Sequence, residues 1–259
     1  MKEYKFTRKN RKTGNTEICG YMKYDAAENE SSHASLYFYG DICGESWISE
    51  CYPEDKAPQD VADFLNELDG STTPLDVYVN SGGGDVFGGI AIYNILKRYQ
   101  GEKTAHIDGI AASIAGIIPF ACDKVVAPKF AQIMLHKPWS CCMGNADDMK
   151  KCIESLNICE QSIIDIYAEN AVNGTTAEKI KSMIDRETWL TCDKASQYFN
   201  IQIEDIEPAA ACTSDYFSKY KNTPESIMKS QTTAIQNPGD SEKENHKRKL
   251  QLELDCLSM

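Results

Sequence analysis

The feature that most constrains this chain is an alternation of strand-like and helix-like segments between residues 35 and 207. Ser35-Leu-Tyr-Phe-Tyr-Gly reads as a strand. Residues 58–68 then carry Val61, Phe64, Leu65 and Leu68 at helical spacing, on one face. A strand over 75–80, a helix over 87–98, a strand over 104–108 and a helix from Ala112 follow. Short strands at 124–127 and 133–135 precede a long helix over 145–171 and a helix over 176–184. One more helix is expected over 191–199, opened by Thr191 with Asp193 in its first turn. Repeated βαβ units imply an α/β fold with a largely parallel sheet. The chain of 259 residues holds one such domain with tails.

The flanks differ in texture. Residues 1–34 are polar and lack useful periodicity, so they read as a leader or a short hairpin. Residues 35–207 form the expected folded domain, and 208–259 a flexible C-terminal linker and tail. Asn237-Pro-Gly-Asp-Ser breaks any element in that linker, and residues 247–257 form an amphipathic helix or stay frayed. No repeat of solenoid period occurs. A net charge of −12 argues against nucleic acid as a partner and leaves proteins as the expected ones. The longest apolar run, residues 109–122, is too short to span a membrane, and no apolar signal segment follows the basic N-terminus. A cytoplasmic location is the expectation. Eleven cysteines without a CxxC pair, and only four histidines, call for no metal or other cofactor. Reduced, mostly buried thiols are the simplest reading, with the adjacent Cys141 and Cys142 as the pair worth a redox test.

Three segments at expected strand ends carry chemistry, which is where an open α/β sheet presents reactive groups. The first, Asn80-Ser-Gly-Gly-Gly-Asp, lets the backbone turn sharply and exposes amides that suit a phosphate or a developing oxyanion, or simply makes a tight turn. It lacks the Gly-Lys-Ser/Thr ending of a phosphate loop and the spacing of a dinucleotide fold. The second, Asp108-Gly-Ile-Ala-Ala-Ser-Ile-Ala-Gly, sets Ser113 among small residues at a strand-to-helix junction. There Ser113 serves either as an N-cap or as a nucleophile favoured by the helix dipole. The third, Ile133-Met-Leu-His-Lys-Pro, ends an apolar strand on His136, an imidazole able to accept a serine proton and return it to a leaving amine. His106 lies mid-strand as a packed side chain, and His33 and His246 fall in the tails. Cys122 is the one rival nucleophile near Ser113, but its apolar surroundings raise its thiol pKa.

Together these segments resemble the ClpP-type serine peptidases, from about Ser35 to Glu207. The glycine run is similar to the family's Asn-Ser-Pro-Gly-Gly turn, with Gly82 at the proline position. Gly109-Ile-Ala-Ala-Ser-Ile-Ala-Gly is similar to its nucleophile segment, Met134-Leu-His-Lys-Pro to its histidine strand, and residues 144–148 to the start of its long inter-ring helix. The resemblance implies a ClpP/crotonase-like fold with a long protruding helix. It further implies Ser113 as nucleophile, His136 as base, and the amides of Gly84 and Ile114 as oxyanion hole. Trp189-Leu-Thr resembles the family's Phe-Leu-Ser, which sets Glu187 at the position of the catalytic aspartate. Asp185, two residues earlier, is the other candidate acid. Tyr39-Gly-Asp-Ile, Gly84-Asp-Val-Phe-Gly-Gly and Asp185-Arg-Glu-Thr-Trp-Leu-Thr look closest to the phage and prophage head-maturation (prohead) branch. That branch implies capsid or scaffold protein as substrate and partner, whereas the housekeeping branch works with an ATPase unfoldase. Stacked homo-oligomeric rings are expected in either case. The rival readings are a crotonase-like acyl-CoA enzyme, which needs no serine nucleophile, and an assembly subunit without turnover.

Overall fold

Strands in which buried Leu36, Val77 and Ile107 alternate with half-exposed Tyr37, Tyr78 and His106 make a largely parallel sheet with one face packed against helices. The computed structural model describes residues 2–9, 16–24, 33–46, 48, 55–68, 72–205, 214–225 and 227. In chain order these form β1 (Lys2–Lys9), β2 (Thr16–Tyr24), β3 (Ala34–Phe38), α1 (Pro58–Glu67), β4 (Leu75–Ser81), α2 (Val86–Arg98) and β5 (Lys103–Ala112). A 3-10 helix, Ser113–Ala121, leads to β6 (Lys124–Pro128), β7 (Gln132–Leu135), α3 (Ala146–Glu169), α4 (Ala177–Asp185), β8 (Thr188–Thr191), α5 (Cys192–Ala195) and β9 (Gln202–Glu204). A second 3-10 turn, Asp215–Ser218, follows. The sheet runs β1-β2-β3-β4-β5-β6-β9, and β7 and β8 branch from β5. Pairing is parallel from β3 through β6 to β9 and between β5 and β7; it is antiparallel for β1-β2, β2-β3 and β7-β8. The α/β class and the repeated βαβ units are as expected.

One core joins the layers. Val77 and Val79 of β4, Ile107 of β5, Ile92 and Leu96 of α2, and Ile117, Ile118 and Phe120 of the 3-10 helix are fully buried in it. The 3-10 form replaces the α-helix expected after Ala112, and Pro119 lies inside it. Proline removes an amide donor and crowds the preceding turn, so a regular α-helix is disfavoured there. The long helix α3 has 24 residues, yet its buried residues are Cys159, Ile163, Ile164 and Tyr167, all in its C-terminal half. Met149, Ile153 and Ile158 are 38%, 58% and 68% exposed. Its N-terminal stretch, through Ile158, therefore projects from the domain.

Two local expectations change, and of the leader and the hairpin expected at the N-terminal end the described residues form the hairpin. The single helix over 191–199 is instead β8 followed by the four-residue α5. Thr191 does cap it, accepting from the Lys194 amide at 3.4 Å, but residues 188–191 satisfy their backbone by pairing with β7. Within residues 1–34 the described part is a hairpin, β1-β2, joined to the sheet at Tyr24↔Ala34. Within the stretch read as linker, Ser214 is buried beside Asp41, and Phe217 and Tyr220 are buried against Ile110, Ala112 and Met134. The expected terminal helix at 247–257 lies outside the described residues.

Candidate active site

Sheet register builds the site. The first half of β5 pairs with β6, and its last three residues pair with β7, in the register Ala112↔Met134. Ser113 and His136 thus both emerge just beyond adjacent strand ends. β8 runs antiparallel to β7 with Leu135↔Thr188, so continuing the register by one residue sets Glu187 opposite His136. Beyond the irregularity between Val79 and Ser81 in β4, Gly83 lies against Ala112 and Ser113.

Ser113 Oγ lies 2.6 Å from His136 Nε2, a short hydrogen bond. Ser113 has φ +55° and Glu187 φ +50°, two of three non-glycine residues in the left-handed region among those described. Such backbone costs about 1–3 kcal/mol per residue and persists where surroundings hold it, often at reactive sites. Burial holds the His136 pKa down, from 6.5 to about 4, while the negative charge of Glu187 acts in the opposite sense. The imidazole is therefore neutral and a proton acceptor across the neutral range.

Two amides flank the serine. Ile114 is the second residue of the 3-10 helix that follows the extended Ala112, where the first N–H groups have no intrahelical acceptor. Gly84 bridges Ile42, but that bridge uses the Gly83 carbonyl at 2.7 Å and the Asp85 amide at 2.8 Å, leaving the Gly84 N–H outside it. Gly84 has φ +143°, and a side chain there would meet the Ile42 carbonyl oxygen at 2.0 Å, so only glycine fits.

The two candidate acids have different surroundings. Asp185 accepts from Lys137 at 2.8 Å and Lys181 at 2.9 Å, and these lysines lower its pKa. Glu160 of α3 joins the same network through Lys181 at 2.9 Å. Glu187 instead accepts from the amides of Lys221 at 2.8 Å and Asn222 at 2.5 Å, with Trp189 Nε1 at 3.5 Å. It is near enough to act on His136 by charge, yet its carboxylate is committed to residues 221 and 222. Cys122 is a poor nucleophile, as expected, because burial pushes its thiol up to about 12. His106 and His33 both bond Asp76, at 3.1 and 2.9 Å, away from Ser113.

A narrow cleft of about 10 Å³ lies beside the pair and is lined by Val86, Ile114, Leu135, Pro138, Ile163 and Tyr167 as well as Ser113 and His136. The buried Tyr167 hydroxyl has no hydrogen-bond partner among the described residues. Tyr220 was missed in the sequence: its ring packs edge-on against His136 with centroids 4.8 Å apart. Its spacing of three from Phe217 was the available signal. Among the described residues no three or more His, Cys, Asp or Glu side chains gather to hold a metal, and no helix is long and apolar enough to cross a membrane.

Comparison with known proteins bears on the same region. The family model described as Clp protease matches residues 52–202. The ATP-dependent Clp protease proteolytic subunit of Bacteroides fragilis is 27% identical over 126 residues, covering 48% of this chain and 60% of that protein. Proteolytic subunit 1 of Streptomyces avermitilis is 29% identical over 155 residues, 57% of this chain and 70% of that protein. Subunit 3 of Streptomyces coelicolor is 30% identical over 145 residues, 53% and 66% respectively. The match to the Bacteroides relative thus spans less than two thirds of its length. The matched segment contains Ser113, His136, Glu187 and the glycine turn, and covers more than half of the chain, which therefore belongs to the Clp protease family.

Proposed function

We propose that the chain is a serine endopeptidase in which Ser113 attacks the scissile carbonyl and His136 takes its proton. The carrying observation is the 2.6 Å contact between Ser113 Oγ and His136 Nε2 at paired strand ends. In this reading the Ser113 proton passes to Nε2 as the tetrahedral intermediate forms, and the amides of Gly84 and Ile114 hold its oxyanion. His136 then protonates the leaving amine, and water, activated by the same imidazole, releases the acyl group. Glu187 is the third member, facing His136 by register and stabilising its charged form; glutamate serves this role in other serine hydrolases. Residues 35–207 are the catalytic unit. No cofactor enters the scheme.

The substrates are protein chains, and the working form is a stack of homo-oligomeric rings. Two settings fit the same site: cleavage of scaffold or capsid protein in phage head maturation, and housekeeping proteolysis with an ATPase unfoldase. The names of the relatives, ATP-dependent proteolytic subunits, favour the second. The resemblance of Tyr39-Gly-Asp-Ile and of the segment around Trp189 favours the first. A crotonase-like reading has no use for the serine–imidazole contact.

The test is peptide hydrolysis by Ser113→Ala, His136→Ala and the double variant. Each single change should lower kcat by at least about 10³-fold with an unchanged melting temperature. The double variant should be no slower than either, because the pair acts as one unit. A double variant much slower than both singles would contradict the assignment.

A further inference from the structure

Residues 214–222 lie beyond the matched family region and contact His136, Glu187 and the glycine turn. Ser214 Oγ donates to Asp41 at 2.6 Å, in a buried contact. The Tyr220 hydroxyl donates to the Gly82 carbonyl at 2.6 Å, and its ring covers the edge of His136. The amides of Lys221 and Asn222 take both oxygens of Glu187. Phe217 is 1% and Tyr220 7% exposed, so this is a packed contact rather than a resting tail. The point where a side chain on Gly83 would begin is 2.8 Å from Ser113 Cβ and 3.1 Å from the Tyr220 hydroxyl. The phenol therefore stands beside the nucleophile, at the glycine turn.

We infer that residues 214–222 are an internal ligand of the Ser113–His136 pair, seated on the glycine turn and Glu187 rather than in the apolar cleft, an aromatic peptide segment that must leave before a substrate is cut. This rests on the serine peptidase reading. Two features distinguish an occupant from a simple buttress. Glu187 gives its oxygens to the segment, so docking competes with the imidazole for the acid. Gly82 makes docking possible: a Cβ there would lie 2.2 Å from Ser214 Oγ and 2.3 Å from Ser214 Cβ. A side chain at 82 and a docked segment are mutually exclusive. Gly82 has no positive φ, so alanine introduces no backbone strain there.

The test uses the full chain with Tyr220→Ala and Gly82→Ala, which release the segment from opposite sides. The readouts are the rate at which a fluorophosphonate probe labels Ser113, the pH profile of peptide cleavage, and the melting temperature. Release should raise the labelling rate about tenfold or more, the worth of one well-placed hydrogen bond with an aromatic contact. The acid limb of the profile should move up from about pH 4 as His136 regains water and its acid partner. A synthetic peptide of residues 214–222 should slow labelling of the released variants again. Folded variants that label Ser113 at the wild-type rate or more slowly, or a peptide without effect on them, would overturn the inference and make the segment a buttress. If Tyr220→Ala fails to fold, Gly82→Ala carries the test, and Tyr220→Phe, losing only the hydroxyl, should still label severalfold faster. Absence of Ser113 labelling in every variant would instead defeat the serine peptidase reading.

Discussion

At the scale of single residues, the imidazole of His136 is the group whose behaviour is most informative. Its folded pKa of about 4 lies below the ordinary 6.5, so the folded protein binds the proton less readily than the unfolded chain. Stability is thus unaffected by this group above about pH 6.5 and falls as pH drops from there toward 4. The same depression keeps the base neutral, and cleavage should persist down to about pH 4 before the acid limb begins. Glu187→Gln removes the charge that holds the His136 pKa up, so the limb should move lower still, and kcat/KM should drop by about 10²-fold. Asp185→Asn should be milder, since Asp185 faces Lys137 and Lys181 on the surface. A pH series on both variants checks this; a reversed ranking would make Asp185 the orienting acid. Ser113 and His136 were legible in the sequence because each ends an apolar strand. The choice between the acids rested on resemblance, and the β7-β8 register supplies the physical ground for preferring Glu187.

At the scale of elements, long amphipathic patterns were read well and short ones poorly. The helices over 58–68, 87–98, 145–171 and 176–184 match α1, α2, α3 and α4 to within two residues at each end. β8 was missed because four residues, Thr188–Thr191, carry too little pattern to outweigh the helix signal of Thr191 and Asp193. The packing of residues 214–220 was hidden by polar composition, although Phe217 and Tyr220 stand three apart within it. The projecting stretch of α3 was read as a ring-to-ring surface, and its exposed apolar residues make it one that a monomer has reason to cover. Ile153→Glu and Ile158→Glu should leave the fold intact and shift the protein to smaller particles in light scattering. The Ser113 labelling rate reports the local effect of that dissociation. Wild type sedimenting only as monomer would contradict the stacked-ring reading.

At the scale of the whole molecule, one strand organises the chemistry. β5 uses its first half to hold β6 and its last residues to hold β7, so a single ten-residue strand sets Ser113 beside His136. The parallel sheet, the glycine turn and the antiparallel β8 then deliver their groups to that point. The α/β class followed from alternation of apolar patterns, whereas the branching of β7 and β8 did not, because sequence spacing does not say which half of a strand pairs with which neighbour. The proposed activity rests on a nucleophilic serine activated by an imidazole. The most direct measurement is mass spectrometry of the full-length protein after exposure to a fluorophosphonate probe, with the adduct mapped to a peptide. A serine activated in this way carries one adduct per chain, on Ser113, and loses it in both Ser113→Ala and His136→Ala. An adduct on another residue, or labelling of Ser113 that is undiminished in folded His136→Ala, would contradict it.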